Sequence, residues 1–155
     1  NTEMTDAPSP VTDVLEKVSQ NPGLVPLVGM THATHIGENE LPFVSLGDGT
    51  HIQLLHVDLI QGLWVIRTRF DPGYQVDKRY HTGPVFAGTY SDSWYYKEYP
   101  NDMNSKGSYL CEPAHSVHTL TVPAVNEGQT DVWFAIFGAN AIKLGQLWKP
   151  YNILF

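Results

Sequence analysis

The sequence is poor in cysteine, with Cys111 as the single thiol among its 155 residues. One cysteine excludes an internal disulfide and argues against a zinc site built from thiolates. A reactive thiolate needs a positive environment, and the neighbours of Cys111 are strand-like residues and Glu112. We therefore interpret Cys111 as a small core residue.

Positive charge is also scarce, since 9 Lys and Arg residues face 16 Asp and Glu residues and the net charge is -7. Proteins that bind nucleic acids or anionic membranes need the opposite sign, so we expect neither partner. No apolar run approaches the roughly 20 residues that span a bilayer, and the amino end is polar and acidic, unlike a signal peptide. We expect a cytoplasmic protein.

Phosphate-binding glycine loops and the G-x-S-x-G serine motif are both missing, so nucleotide binding and hydrolase chemistry have no motif behind them. The chain instead has 12% aromatic residues, 13 Gly and 11 Pro, with only 16% charged residues. This composition is typical of an ordered chain with many turns, which favours β structure.

Short runs of β-branched and aromatic residues recur from about residue 42, each ended by a Gly, Pro, Asn, Asp or Ser turn. Eight such runs, without intervening long helices, predict a β-sandwich or barrel. The predicted strands are Pro42–Leu46, His51–Val57, Leu63–Phe70, Val85–Tyr90, Trp94–Tyr99, Ser108–Glu112, Val117–Val122 and Val132–Phe137.

Different structures are expected for the two ends of the chain. Residues 1–10 are polar and predict a flexible tail, and the apolar spacing at residues 11–18 predicts one short amphipathic helix. We expect residues 11–155 to form a single domain. The apolar segment Trp148–Phe155 should dock on the barrel or on a second subunit, which favours a homodimer.

Seven histidines are the clearest chemical signal: His32, His35, His51, His56, His81, His115 and His118. A metal site on a β scaffold needs neutral imidazoles from separate strands to converge, and imidazole suits iron, zinc, nickel or copper. His32 and His35 fall in a polar loop, where surface roles are expected. His51 and His56 are an odd number of positions apart on one strand, so we expect them on opposite faces.

Two segments carry a family signature. The first runs from Gly73 to His81 and reads G-Y-Q-V-D-K-R-Y-H. The second, from Gly107 to His118, reads G-S-Y-L-C-E-P-A-H-S-V-H and includes Pro113. Together they resemble the two motifs of the cupin superfamily, and the core of the match is residues 73–122. Three runs narrow the match: H-T-G-P-V from His81, W-Y-Y-K-E-Y-P from Trp94 and E-P-A-H-S-V-H-T-L from Glu112. They are similar to the single-domain cupins related to 2,4'-dihydroxyacetophenone dioxygenase, acetylacetone-cleaving dioxygenase and the cupin half of a zinc-binding anti-sigma factor.

The resemblance implies an all-β fold: a cupin jelly-roll barrel of two antiparallel sheets, here with the short amino-terminal helix. It also implies a non-haem Fe(II) site, with Zn, Ni or Mn as other metals, that uses dioxygen to cleave a carbon–carbon bond beside a carbonyl. The family's ligands are the two histidines of a His-x-His pair, one later histidine and sometimes a glutamate of the first motif. His81 and His118 match two of them.

The sequence departs from the family pattern at four positions. Arg79 replaces the first histidine of the pair, and a guanidinium does not ligate metals. Val85 stands where the motif glutamate is expected. Asp92 and His115 each stand where the pattern has a glycine.

Three interpretations of the missing ligand remain open. Glu112 completes a two-histidine, one-carboxylate set, with Glu98 as the second candidate. Alternatively, His115 replaces the missing ligand. In the third interpretation the metal is lost, and Arg79 binds an anion in the old cavity or pairs with Glu112.

The leading hypothesis is a metal-dependent, dioxygenase-like cupin that acts on a small ketone, diketone or aryl ketone. His81, His118 and Glu112 would hold the metal, and Arg79 and Glu112 would act in catalysis. The alternative is a metal-free module in which Arg79 holds a small anionic ligand. Inward-facing aromatic residues predict an apolar pocket in either case: Trp64, Phe70, Phe86, Tyr90, Trp94, Tyr96, Trp133, Phe134 and Phe137.

Overall fold

The computed structural model describes residues 33–144 and 147–151. The predicted tail, the predicted helix at residues 11–18, His32 and residues 152–155 lie outside this part of the chain. Every regular element within it is a β-strand, and it contains no helix of the length and apolarity needed to cross a membrane.

Twelve strands follow one another along the described chain. They are β1 (Val44–Ser45), β2 (Thr50–Asp58), β3 (Leu63–Phe70), β4 (Arg79–His81), β5 (Val85–Ser91), β6 (Ser93–Tyr96), β7 (Asn104–Ser105), β8 (Tyr109–Glu112), β9 (Leu120–Thr121), β10 (Thr130–Phe137), β11 (Asn140–Leu144) and β12 (Leu147–Tyr151). Each of the eight predicted runs overlaps one strand. The unpredicted β4, β7, β11 and β12 are short or interrupted by polar residues, so they lack a clear alternating pattern.

The strands form three antiparallel sheets rather than the two expected. The main sheet has the order β1-β2-β3-β10-β5-β8, the second sheet β12-β11-β4 and the third sheet β7-β6-β9. In the main sheet β10 lies between β3 and β5, so strands far apart in sequence are neighbours. This connectivity brings motif residues from distant segments to one interior.

Alternation along the strands separates a core face from an outer face. Ile66, Phe70 and Phe134 point inward and pack in one hydrophobic cluster with the fully buried Trp94. The intervening positions of β3 and β10 point outward, where Arg67 Nε donates a 2.8 Å hydrogen bond to Asp131. The core face of β3 and β10 is therefore mostly apolar, and the Arg67–Asp131 ion pair lies on their outer face.

A β-bulge corrects the expectation for two histidines. The register between β2 and β3 shifts between Leu54 and His56, so that His51 pairs with Arg69 and His56 with Val65. Both partners are outward-facing positions of β3. The extra residue of the bulge reverses the alternation, and both histidines therefore lie on the outer face rather than on opposite faces.

Cys111 is not a core residue, contrary to the expectation from sequence. Its side chain is exposed on β8, an edge strand of the main sheet, where it pairs with Phe86. Because successive strand residues alternate between faces, the inward position falls on Glu112, which is only 3% exposed. The strand thus buries a carboxylate and exposes a thiol.

Candidate metal centre

Three chain segments bring two imidazoles and a carboxylate to one point inside the barrel. His81 ends β4, Glu112 ends β8, and His118 precedes β9. Their relative exposures are 5%, 3% and 4%. Each offers one metal-ligating atom, and these atoms all lie within 4.8 Å of one another. The spacing fits a single metal ion in a two-histidine, one-carboxylate arrangement.

Backbone hydrogen bonds hold the two histidines side by side. Arg79 and His118 form an isolated antiparallel bridge, in which each backbone N–H donates to the other residue's carbonyl at 3.0 and 2.9 Å. The His115 N–H donates to the His81 carbonyl at 2.7 Å. The rings of His81 and His118 consequently stack, with centroids 5.5 Å apart and planes 12° from parallel.

Only one of the two carboxylate oxygens of Glu112 has a hydrogen bond. The Tyr96 hydroxyl donates a buried 2.6 Å hydrogen bond to Glu112 Oε2. Glu112 Oε1 lies 2.9 Å from His118 Nδ1, but that nitrogen is directed to the Ser116 carbonyl at 3.1 Å, and Oε1 keeps no hydrogen bond. A buried carboxylate oxygen without a donor is expected where a cation binds.

Burial sets the protonation states of two of these groups. Desolvation lowers the pKa of His81 from 6.5 to about 4, so the imidazole is neutral at physiological pH and able to coordinate a metal. Desolvation, with the neighbouring Glu112 charge, raises the pKa of Tyr96 well above its usual value. Tyr96 therefore keeps its proton and remains a hydrogen-bond donor.

The cluster opens on a cavity of about 120 Å³ inside the barrel. Most of its wall is apolar, formed by side chains that include Ile52, Ile66, Phe70, Val76, Phe134 and Ile136. Arg79 also lines it, and so do Asp48 and Tyr74, which are joined by a 2.9 Å hydrogen bond. The cavity therefore offers an apolar wall, a few charged groups and a candidate metal centre.

Comparison with known proteins shows the family to which this chain belongs. Residues 31–139 match the family described as the ChrR cupin-like domain. The chain belongs to that family of cupins. A cupin-like protein of unknown function from Ralstonia eutropha is 37% identical, with a TM-score of 0.70, and the match covers 78% of this chain and 79% of the other.

Two more distant cupins share the fold. An acetylacetone dioxygenase from Acinetobacter johnsonii is 14% identical, with a TM-score of 0.62 over 79% of this chain and 87% of the other. The complex of the Rhodobacter sphaeroides anti-sigma factor ChrR with SigE gives 12% identity and a TM-score of 0.53 over 88% and 70% of the chains. No curated protein matches the sequence.

The cupin framework explains how Val85 is accommodated at the position of the motif glutamate. Val85 of β5 and Glu112 of β8 are directly paired across the main sheet. Paired residues in antiparallel strands share a face, so the carboxylate of Glu112 enters the barrel beside the position that the motif glutamate would occupy. The neighbouring strand thus places a carboxylate beside the motif position that Val85 occupies.

The two missing motif glycines have a backbone explanation. Asp92 and His115, which replace them, are the non-glycine residues with positive φ in the described part of this cupin, at 55° and 65°. These are left-handed conformations, which glycine adopts without strain. The pattern's glycines therefore mark turns that this chain keeps with other residues.

The other ligand candidates lie away from the cluster. Glu98 accepts hydrogen bonds from the Thr119 backbone and hydroxyl at 2.7 and 2.9 Å and lies 3.6 Å from Lys78. His115 is exposed, with its ring 5.8 Å from that of Tyr80. Neither residue belongs to the three-ligand group among the described residues.

Tyr96 belongs to the candidate site through its hydrogen bond to Glu112, whereas the sequence predicted it only as an aromatic residue of the pocket wall. The alternation of Trp94 and Tyr96 on one strand places both inside, and a buried tyrosine needs a hydrogen-bond acceptor. Of the other predicted wall residues, Phe70 and Phe134 line the cavity. Phe86 and Phe137 instead pack edge to face on the outer side of the sheet.

Proposed function

We propose that this cupin is a metal-dependent oxygenase that holds Fe(II) through His81, Glu112 and His118. The observation that carries the proposal is the convergence of these three buried groups on one cavity. The set also leaves Glu112 Oε1 without a hydrogen-bond partner. Zinc, nickel and manganese are the other candidate metals.

The proposed substrate is a small ketone, diketone or aryl ketone, cleaved by dioxygen next to its carbonyl. When bound, the metal would supply Lewis acidity and a common template for the carbonyl and dioxygen. The apolar wall, including Ile66 and Phe134, would hold the substrate's carbon skeleton and exclude water. The acetylacetone dioxygenase from Acinetobacter johnsonii shares the fold, and its substrate guides the choice of test compounds.

Two side chains have proposed roles beside the metal. Tyr96 keeps its proton and holds Glu112 Oε2, so that Oε1 is left to the metal. Arg79 lines the cavity, where its permanent positive charge would position an anionic part of the substrate by paired hydrogen bonds. Both are residues of this chain that orient groups around the reacting centre.

Metal analysis tests the proposal directly. Protein produced with iron supplementation and handled without oxygen should carry stoichiometric metal, and His81→Gln, Glu112→Gln and His118→Gln should each lose most of it. His115→Gln and Glu98→Gln are matched controls and should keep their metal. Oxygen uptake with diketones and aryl ketones then tests the reaction. Only trace metal in folded wild-type protein would overturn the proposal.

The second candidate is a metal-free binding module that holds a small anionic molecule. It is favoured by Arg79, which replaces a metal-binding residue of the family pattern and lines the cavity. Calorimetric titration of chelator-treated protein with small carboxylates tests this candidate. Binding that is unchanged by added metal and lost in Arg79→Gln supports it, whereas no binding without metal contradicts it.

A further inference from the structure

Asn140 is a buried polar residue whose side chain forms no hydrogen bond in the structure. It begins β11 and is 3% exposed, and neither its amide nitrogen nor its amide oxygen has a hydrogen-bond partner. Burying an unsatisfied amide typically costs about 1–3 kcal/mol. A nearby hydrogen-bond donor or acceptor that pairs with the Asn140 side chain would remove this cost.

The neighbour of Asn140 across the sheet is His81. The register of β4 and β11 pairs these two residues directly. Opposite residues in an antiparallel pair share a face, with Cβ atoms roughly 5 Å apart. The two side chains are not hydrogen-bonded in the structure, but at this Cβ separation a rotation of the side chains can bring the amide to the imidazole. His81 Nδ1 is itself sealed from solvent and unpartnered.

A close backbone contact fixes that register. A Cβ built on Gly83 would lie 2.6 Å from the Phe137 carbonyl oxygen, so only glycine lets the two segments approach this closely. Just beyond, the Ala139 N–H donates to the Thr82 hydroxyl at 2.7 Å, and the Thr82 N–H donates to the Ala139 carbonyl at 2.8 Å. The residues next to these contacts are Asn140 and His81.

His118 has a hydrogen-bond acceptor beside its Nδ1, whereas His81 has none in the structure. His118 Nδ1 is 3.1 Å from the Ser116 carbonyl, which can accept its proton and leave Nε2 free to coordinate. Histidine ligands in metalloproteins almost always have such an acceptor, which selects the tautomer and the ring orientation. Of the two His81 ring nitrogens, Nδ1 is the one that is buried from solvent without a hydrogen-bond partner. Asn140 is the residue paired with His81 across the sheet.

We infer that Asn140 is a positioning residue for His81: its Oδ1 accepts the Nδ1–H proton of His81 and so presents the Nε2 lone pair to the metal centre. The positioning role rests on the proposed metal site, whereas the hydrogen bond itself does not. The hydrogen bond can be tested without any activity.

Nitrogen-15 NMR of histidine-labelled protein tests the hydrogen bond, with the His81 signals identified by their loss in His81→Gln. Wild-type protein, both metal-free and loaded with Zn(II), should have the proton on Nδ1 of His81. Asn140→Leu, which has a similar volume but no acceptor, should lose that preference in the metal-free state. A wild-type His81 that is protonated on Nε2 in the metal-free protein would overturn the inference.

Zn(II) affinity, measured by competition with a chromophoric chelator, tests the positioning role. Asn140→Leu should bind Zn(II) about 10–100-fold more weakly, whereas Asn140→Asp, which keeps an acceptor oxygen, should bind at least as tightly as wild type. Asn104→Leu changes another buried asparagine and should lower stability without lowering affinity. Equal affinity in wild type and Asn140→Leu contradicts the role. Absence of Zn(II) binding in wild type contradicts the proposed function, while the NMR result still decides the hydrogen bond.

Discussion

Tyr96 controls the residue that completes the candidate centre. Its hydroxyl is the donor to Glu112 Oε2, at 2.6 Å, in a fully enclosed position. Without that hydrogen bond the carboxylate would have two unsatisfied oxygens and could rotate away from His118. A single phenol therefore fixes both the orientation of the carboxylate and the oxygen that is left for a cation.

Replacing Tyr96 by Phe tests this role, because the ring stays and only the donor is removed. We expect Tyr96→Phe to lose about 1–3 kcal/mol of unfolding free energy in the metal-free protein, the usual cost of a buried group left unpaired. Metal affinity should fall as well. Chemical denaturation and chelator competition measure the two effects. Tyr99→Phe, at a 54% exposed tyrosine, is the control and should change neither.

The desolvated imidazole of His81 predicts a pH dependence of stability in the metal-free protein. Its pKa is about 4 in the folded state and about 6.5 in the unfolded chain. Between these values the unfolded state binds a proton that the folded state excludes. Stability is therefore unaffected above pH 6.5 and falls as the pH drops toward 4.

The expected loss at this residue is on the order of 2 kcal/mol between pH 7 and pH 5. Urea denaturation of chelator-treated protein at the two pH values measures it. Because other histidines also titrate, the informative quantity is the difference between wild type and His81→Gln. A pH dependence that is the same in both proteins would show that the folded state accepts the His81 proton freely.

At the scale of the elements, sequence alone reaches part of the site. The resemblance to the two cupin motifs singles out His81 and His118, and Glu112 is the first-choice carboxylate because it lies six residues before His118. The choice of Glu112 over Glu98 or His115 depends on sheet register and on a left-handed turn. The spacing of residues along the chain encodes neither the register nor the turn. It also does not encode the β-bulge in β2, which changes the face on which the following residues lie.

The pairing of Val85 with Glu112 predicts that the carboxylate can be moved between strands. Glu112→Val alone should lose metal binding. The double variant Val85→Glu with Glu112→Val should recover part of it, since the two positions face the same centre from paired strands. Chelator competition measures affinity, and circular dichroism checks folding.

A carboxylate placed one inward position further along β5 is the control for that exchange. Ala87 also points inward but pairs with Leu110 instead. Ala87→Glu combined with Glu112→Val should therefore remain without metal. If the two double variants bind metal equally, or neither binds while both are folded, then the register does not govern the site.

The turn before His118 gives a stability prediction. His115 adopts a φ of 65°, a conformation that costs a non-glycine residue about 1–2 kcal/mol. His115→Gly relieves this strain and His115→Ala does not, although both remove the ring contact with Tyr80. Allowing for glycine's greater freedom in the unfolded chain, the glycine variant should be more stable by roughly 0.5–1 kcal/mol. Thermal or urea unfolding that favours the alanine variant would contradict this.

At the scale of the whole molecule, the cupin barrel follows from features that the sequence displays openly. Eight of the twelve strands carry a pattern of apolar and β-branched residues, and the two motifs join distant strands. The division into three sheets does not follow, because it depends on how short strands such as β4 and β7 select their partners. The homodimer, the cytoplasmic location and the domain limits stay predictions.

The three sheets give the candidate centre a role in the stability of the entire barrel. His81 ends a strand of the second sheet, Glu112 ends a strand of the main sheet, and His118 leads into the third sheet. An ion bound to all three would link the three sheets at one point, in addition to backbone contacts such as the Arg79–His118 bridge. Such an ion binds the folded state and has no comparable site in the unfolded chain, so it must raise the unfolding free energy.

The expected gain is about 2.7 kcal/mol when free metal exceeds its dissociation constant a hundredfold. Thermal unfolding under anaerobic conditions, with Fe(II) or Zn(II) added to chelator-treated protein, measures it as a rise in Tm that depends on metal concentration. Glu112→Gln should lose most of this rise, and Glu98→Gln should keep it, because Glu98 is bonded to Thr119 instead. A rise of equal size in both variants would mean that the ions stabilise the barrel from some other place.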